Sequence, residues 1–349
     1  MKKSVRTLIL LFISVATVIT AQNRRYANAF LEIPAGVRAA SMGSAYSAIA
    51  NDATAFFWNP AGSVLVNRHE VTGSYSSQFG GLAQYHVLGY NHQINNRYSF
   101  AVGWIRYSIS NIPENADLSG SASEHAVPGF DFAALQHGHF SYADNAFFFT
   151  FARMNTLRLN LGWAYSDFPI QIPVGASFKI IRGGTSGISG ENGVVLNDVR
   201  KSGIGVDIGT MIMFGMNDLL EIPTLGDFVM SFNFQDATTT AVQYNKISSD
   251  VRAQDIVKAN FKFGMSYIQG LDEWKSNILL SYESNTRYAN DRHYGLEWEY
   301  NKLAALRLGI DNGTLTYGAG FQYNHIHIDY ALNNHALGYT HRIGTSYKF

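Results

Sequence analysis

The 349-residue sequence predicts an all-β fold, a transmembrane antiparallel β-barrel of about 14 strands with a small N-terminal helical hatch in the lumen. Three observations lead there. From residue 69 onward, stretches of roughly ten residues alternate apolar and polar side chains between polar turns, as strands do with lipid on one face and water on the other. The chain opens on an export leader, yet no later segment is an apolar run long enough to cross a bilayer as a helix. Its last strand ends on aromatic residues, Tyr347 and Phe349. A membrane protein without spanning helices has to close its strands into a ring, because hydrocarbon offers no water to unpaired backbone amides.

Residues 1–21 form the leader. Lys2, Lys3 and Arg6 make it positive, Leu8 to Ile19 is apolar, and Ala21 precedes the polar Gln22 and Asn23, which places cleavage after Ala21. The absence of cysteine removes thiol-linked lipid and any disulfide framework. Charged residues make up 15% of the chain, against about 25% in soluble domains, while 14% is aromatic and 32 residues are glycine. Basic and acidic side chains number 26 each, three of the basic ones in the leader, so the mature chain is slightly acidic and lacks the basic surface that nucleic acid requires.

Residues 22–68 have another texture. Pro34 and Gly36 end an extended lead-in, and small residues from Ala39 to Ala48 suit a short helix packed tightly on a wall. Asn59-Pro60 marks a turn, and Phe56, Phe57 and Trp58 are more than a periplasmic linker needs. The segment is expected to be a lumenal hatch, with Gly36, Arg38, Met42, Gly43, Asn51, Asp52, Trp58, Asn59, Pro60 and Ala61 as its site residues.

Residues 69–349 are the barrel. Val257, Ala259, Phe261, Phe263, Met265 and Tyr267 are expected to face lipid and Lys258, Asn260, Lys262, Gly264 and Ser266 the lumen. Leu315 to Tyr323 and Phe228 to Gln235 alternate likewise, and inward glycines suit a narrow or curved wall. Trp104, Trp163, Trp274 and Trp298 are expected in interfacial girdles. A soluble β-sandwich also alternates, but strands of this length and aromaticity favour a barrel. Candidate strands begin near residues 69, 84, 97, 145, 157, 170, 202, 226, 257, 274, 293, 303, 314, 325 and 337. Bacterial barrels have even strand numbers, and this count puts the long connection at 109–144 on the wrong side of the membrane, so one strand start between 109 and 182 is in error and fourteen strands are expected. Arg342, Gly344, Tyr347 and Phe349 match the polar-x-Gly-x-x-aromatic-x-aromatic ending by which outer-membrane barrels engage the barrel assembly machinery.

The lead-in ending Ile33-Pro34, the Gly36 to Ala39 step, Met42-Gly43, Ala45-Tyr46, Asn51-Asp52-Ala53 and Trp58-Asn59-Pro60-Ala61 together resemble the N-terminal pattern of the PorV/PorQ family. That family lies within the FadL-like outer-membrane barrels, whose fatty-acid transporters carry an Asn-Pro-Ala motif in an N-terminal hatch. The resemblance implies residence in the outer membrane and a role in type IX secretion. Pro60-Ala61-Gly62-Ser63 and Ile33-Pro34-Ala35-Gly36 depart from both branches and leave the role open between secretion and uptake.

Chemistry is sparse. No Gly-x-Ser-x-Gly elbow, His-Glu-x-x-His pair or phosphate loop is present. Gly183, Gly184, Gly187 and Gly190 read as a flexible outer loop, His137 and His139 with Glu124 or Asp131 are a weak metal candidate, and His325, His327 and Asp329 are expected as polar filling on one inward face. No enzyme activity, metal or cofactor is expected. Two functions remain: a type IX secretion-associated scaffold or shuttle for surface and secreted proteins, partnered by secretion components or cargo, or a passive uptake channel for a hydrophobic ligand such as a long-chain fatty acid. Few apolar clusters in the long connections favour protein partners. Outer-membrane lipid surrounds the barrel in either case.

Overall fold

The structure is a computed structural model that describes residues 28–115, 136–160, 162, 168–186, 199–245, 254–335 and 338–349. All strands pair antiparallel in one sheet. Its first half runs through β1 (His69–Gln78), β2 (Ala83–Asn95), β3 (Tyr98–Asn115), β4 (Gln136–Leu159), β5 (Phe168–Ser186), β6 (Arg200–Gly215) and β7 (Asp227–Gln235). After two short strands, β8 (Thr240–Tyr244) and β9 (Gln254–Val257), it continues through β10 (Asn260–Leu271), β11 (Ser276–Asn285) and β12 (Arg292–Tyr300). It ends with β13 (Ala304–Asp311), β14 (Thr314–Tyr323), β15 (Ile326–His335) and β16 (Gly338–Lys348). β16 pairs with β1, β5 with β6 and β7 with β10, which closes a ring. β8 and β9 lie outside the ring and prolong the β7–β10 hairpin, with β8 on the first residues of β6. The chain is a closed 14-stranded antiparallel β-barrel.

Alternation builds the two faces. Phe149, Phe178, Leu280, Leu306, Tyr317 and Ile343 stand exposed on the outside, while Ser231, Asn233, Lys262, Glu297, Thr316 and Asn333 are buried inside. The surplus strand start lay where expected: residues 145 and 157 both belong to β4, which runs unbroken and pairs with β5 from Ser141 to Leu159. The outer face of β4 changes from Phe147, Phe149 and Phe151 to Arg153 and Asn155, so a change of polarity within one strand resembled a turn. With that strand removed, the connections through 116–135, 187–199 and 236–259 all join strands at one end of the barrel, which corrects the side assigned to the first of them. The opposite end carries the C-terminus, where Phe349 and His69 each donate an amide to the other's carbonyl at 3.0 and 3.2 Å. These are called the far and near ends.

Four local expectations change. Val257 is buried in β9, and the chain breaks its pairing at Lys258 and Ala259, so outward-facing alternation starts at Phe261. Trp104 lies within β3, bonded to Asn145, while Trp274 and Trp298 are exposed at strand ends; Trp163 falls outside the described residues. Gly183 and Gly184 are not loop but the last turns of pairing in β5, opposite Asp144 and Ala143 of β4. β15 starts at Ile326, so His325 sits in the turn against the outward ring of Tyr347, 6.0 Å away, and leaves the inward face to His327 and Asp329.

Candidate functional site: the plugged lumen

Residues 28–68 fill the barrel. A 3-10 turn at Ala29–Glu32 leads to α1 (Val37–Ser41), an irregular stretch, α2 (Ala55–Trp58) and a second 3-10 turn at Pro60–Leu65 that hands the chain to β1. The lead-in lies toward the far end, where Tyr288 donates to Glu32 at 2.8 Å, and the exit lies at the near end beside His69. Small residues set the fit. Ala35, Ala39, Ala40, Ala45, Ala50 and Ala61 are buried, with Met42, Tyr46 and Phe56 as the large fillers.

The wall makes room by carrying glycine at inward positions of the plug's height. A Cβ on Gly175 would lie 2.5 Å from the Pro60 carbonyl carbon, one on Gly295 2.7 Å from the Met42 oxygen, and one on Gly344 2.7 Å from Val37. Gly89 and Gly103, paired across β2 and β3, leave space for Phe56, and Gly318 does so for Ser41. Glycine weakens a strand, and its repeated use on one face marks close approach by another backbone.

Wall side chains satisfy the plug's backbone, which forms few regular hydrogen bonds of its own. Asn233 donates to the Trp58 carbonyl at 2.6 Å, Gln235 to Phe57 at 3.1 Å, Asn333 to Ala40 at 3.0 Å and Thr316 to Ser41 at 3.1 Å. Glu283 accepts from the amides of Ser47 at 2.8 Å and Tyr46 at 3.2 Å. Such partners stop a buried irregular chain from carrying unpaired polar groups.

The sequence motifs take specific places. Asn59 caps the second 3-10 turn: its side-chain oxygen accepts from Ala61 at 3.1 Å, its amide donates to Ser47 and Thr210 carbonyls at 3.3 Å, and Pro60 occupies the first turn position, where no donor is needed. Trp58 donates its indole N–H to the Ala35 carbonyl at 2.7 Å, and Lys262 lies over its ring. Gly36 and Gly43 take φ of +86° and +61°, conformations that favour glycine. Asp52 receives the amide of Thr54 at 2.9 Å and the hydroxyl of Tyr46.

Arg38 ties plug to wall. Its guanidinium grips Glu297 of β12 in a fork, at 2.9 and 2.7 Å, and donates to Asn51 at 2.8 Å. Burial alone would disfavour the charge, but the carboxylates of Glu297 and then Asp52 outweigh it and hold Arg38 ionised well above its ordinary value. Burial pushes the Tyr46 hydroxyl well above the ordinary phenol value against the pull of Arg38, so it remains a donor to Asp52. Glu297 also accepts from Arg307 of β13 at 2.5 Å, and Arg307 reaches Asp329 at 2.6 Å.

Among the described residues, cavities flank the plug on both sides. The near one, about 310 Å³, is bordered by Arg38, Asp52, Glu70, Glu297, Arg307 and Lys348. The far one, about 200 Å³, is bordered by Glu32, Lys262, Glu283, Arg287, Asp291 and His293. Both are charged. The C-terminal pattern divides: Tyr347 and Phe349 are stacked and exposed outside, whereas Arg342 points inward, donating to Asn333 at 3.2 Å and to the Pro34 carbonyl at 3.1 Å, and Gly344 faces Val37. Of the weak metal candidate, Glu124, Asp131 and the side chain of His137 fall outside the described residues; no group of three or more acidic, histidine or cysteine ligands occurs among those described. Gly187 and Gly190 also fall outside them.

Solved structures share this architecture. The chain matches a TodX monoaromatic hydrocarbon channel variant with TM-score 0.52 at 11% identity, covering 90% of this chain and 99% of that one. The Pseudomonas putida toluene transporter TodX matches with TM-score 0.50 at 11% identity, over 90% and 98%. A Pseudomonas aeruginosa FadL homologue follows with TM-score 0.47 at 10% identity, over 91% and 99%. The first two likenesses show the barrel fold. A family profile described as "Uncharacterised protein family (UPF0164)" matches residues 12–149, the plug and the first strands. No curated protein matches the sequence.

Proposed function

We propose that this chain is an outer-membrane barrel of the PorV/PorQ type that works without catalysis as a closed scaffold or shuttle, holding type IX secretion components or their cargo on its far-end connections. The carrying observation is the plugged and polar interior. Sites for hydrophobic molecules are mostly apolar, with few polar groups. Here both internal cavities are ringed by ion pairs, and the mid-lumen is filled by a plug bonded to β5, β7, β11, β14 and β15. The far end gathers all three long connections, which suits it as a surface for protein partners.

Uptake of a hydrophobic ligand is the second reading, favoured by the barrel likeness to TodX. Comparing the secreted and surface proteomes of a deletion strain and its complemented parent, alongside uptake of a radiolabelled long-chain fatty acid, decides between them. The scaffold reading expects loss of a set of secreted or surface proteins with uptake unchanged. Reduced uptake with an intact secreted proteome would overturn it.

A further inference from the structure

The outside of the barrel is not uniform. Between β4 and β10 two neighbouring rungs cross the wall, Arg153, Val174, Thr210 and Phe232 toward the near end and Phe151, Ala176, Ile208 and Phe234 next to them. Ala176 and Thr210 are small, and the Thr210 hydroxyl turns back to the Pro173 carbonyl at 3.0 Å, so they floor a valley of about 530 Å³ flanked by Phe151, Phe232, Phe234 and Phe261. Arg153 closes its near side. It is exposed, lies over the ring of Tyr98 at 5.8 Å, and has no acidic partner among the described residues. Tyr98 begins β3 and pairs with Arg153, so this guanidinium stands level with the near start of β3, six residues before β4 ends at Leu159.

The geometry points to a phospholipid site: one anionic phospholipid with an acyl chain in the valley and its phosphate on Arg153. A cation facing lipid is costly unless it reaches the headgroup layer and finds counter-charge. The planar guanidinium fork fits phosphate oxygens. A second outward groove, between β7 and β13, is bordered by Phe228, Leu280, Tyr294, Leu296, Leu308 and Ile310 and has no cation, so it offers chains a seat without headgroup choice. The site rests on the membrane placement proposed above, not on the secretion role.

The test uses the full barrel purified in detergent and incubated with equal phosphatidylglycerol and phosphatidylcholine. After exchange into lipid-free detergent, native mass spectrometry reads the retained lipid, and heat-modifiable migration on gels reports folding separately. Wild type is expected to keep phosphatidylglycerol several-fold over phosphatidylcholine. Arg153→Gln should bring the two near parity, and Ala176→Phe, or Thr210→Leu should the first not fold, should abolish the preference for phosphatidylglycerol and lower total retained lipid. Equal retention by wild type, undiminished preference in Arg153→Gln, or adducts of detergent only would overturn the site. A wild-type chain that neither enters membranes nor shows heat-modifiability would overturn the membrane placement instead.

Discussion

Gly175 of β5 lies flat on the plug at Pro60: a Cβ there would stand 2.5 Å from the Pro60 carbonyl carbon and 2.6 Å from the Ala61 nitrogen. Both sides of that contact are main chain, which has no rotamer to yield. At Gly103 the obstacle is the ring of Phe56, which can turn. Gly175→Ala is therefore expected to cost about 1–3 kcal/mol as overpacking, and Gly103→Ala less. The temperature at which the folded gel form converts to the unfolded one should fall in that order, and equal shifts would contradict the rigid contact. Gly43→Leu adds a left-handed φ of +61° to a clash with the main chain of β13, so it should displace the plug rather than be absorbed.

The Arg38–Glu297 pair should respond asymmetrically. Removing Arg38 leaves Glu297 neutralised by Arg307. Removing Glu297 leaves two guanidiniums facing a cavity, Arg38 with the neutral Asn51 and Tyr46 side chains and Arg307 with Asp329. Arg38→Ala should cost about 1 kcal/mol, and Glu297→Ala about 3 kcal/mol, because an uncompensated buried charge is the expensive case. Urea midpoints of the folded barrel in detergent would check it, and a larger loss from Arg38→Ala would refute the arrangement.

The two halves of the C-terminal pattern should separate in function. Tyr347 and Phe349 stand outside, ring centroids 5.8 Å apart, so Tyr347→Ser with Phe349→Ser should lower the assembled amount while export continues. Arg342 holds the Pro34 carbonyl and Asn333 from within, so Arg342→Ala should assemble but loosen the plug. Quantitative blotting of outer-membrane fractions measures the first effect, and protease sensitivity of residues 28–68 the second.

How much of this was legible follows from parity. Period-two alternation placed the β7, β10 and β14 faces, because an apolar outer face and a polar inner one sort side chains strand by strand without regard to neighbours. It failed where the outer face turns polar within a strand, as β4 does at Arg153, and where a turn shifts by one residue, as at His325. The small residues of the plug announced close packing. Their receivers did not: Glu283, Glu297, Asn233 and Asn333 look like ordinary inward polar residues until the strands close and aim them at one segment. A long polar side chain amid inward glycine, serine and threonine was the available signal.

A lock would separate the two functions most directly. The Ser47 hydroxyl of the plug and Ser231 of β7 are 2.8 Å apart, and the chain contains no cysteine that could compete for pairing. Ser47→Cys with Ser231→Cys places two sulfurs within reach of each other, and an oxidant added to the purified barrel or to cells closes the bond. The expected sign is a mobility difference between reduced and non-reduced gel samples, absent in either single variant. With the plug fixed, a closed scaffold keeps its far-end surface and should support a normal secreted and surface proteome. An uptake channel that must move its plug should lose transport and regain it on mild reduction. Loss of secretion in the oxidised double variant, restored by reductant while both single variants remain normal, would show that plug movement is part of the secretion role and would overturn the static scaffold.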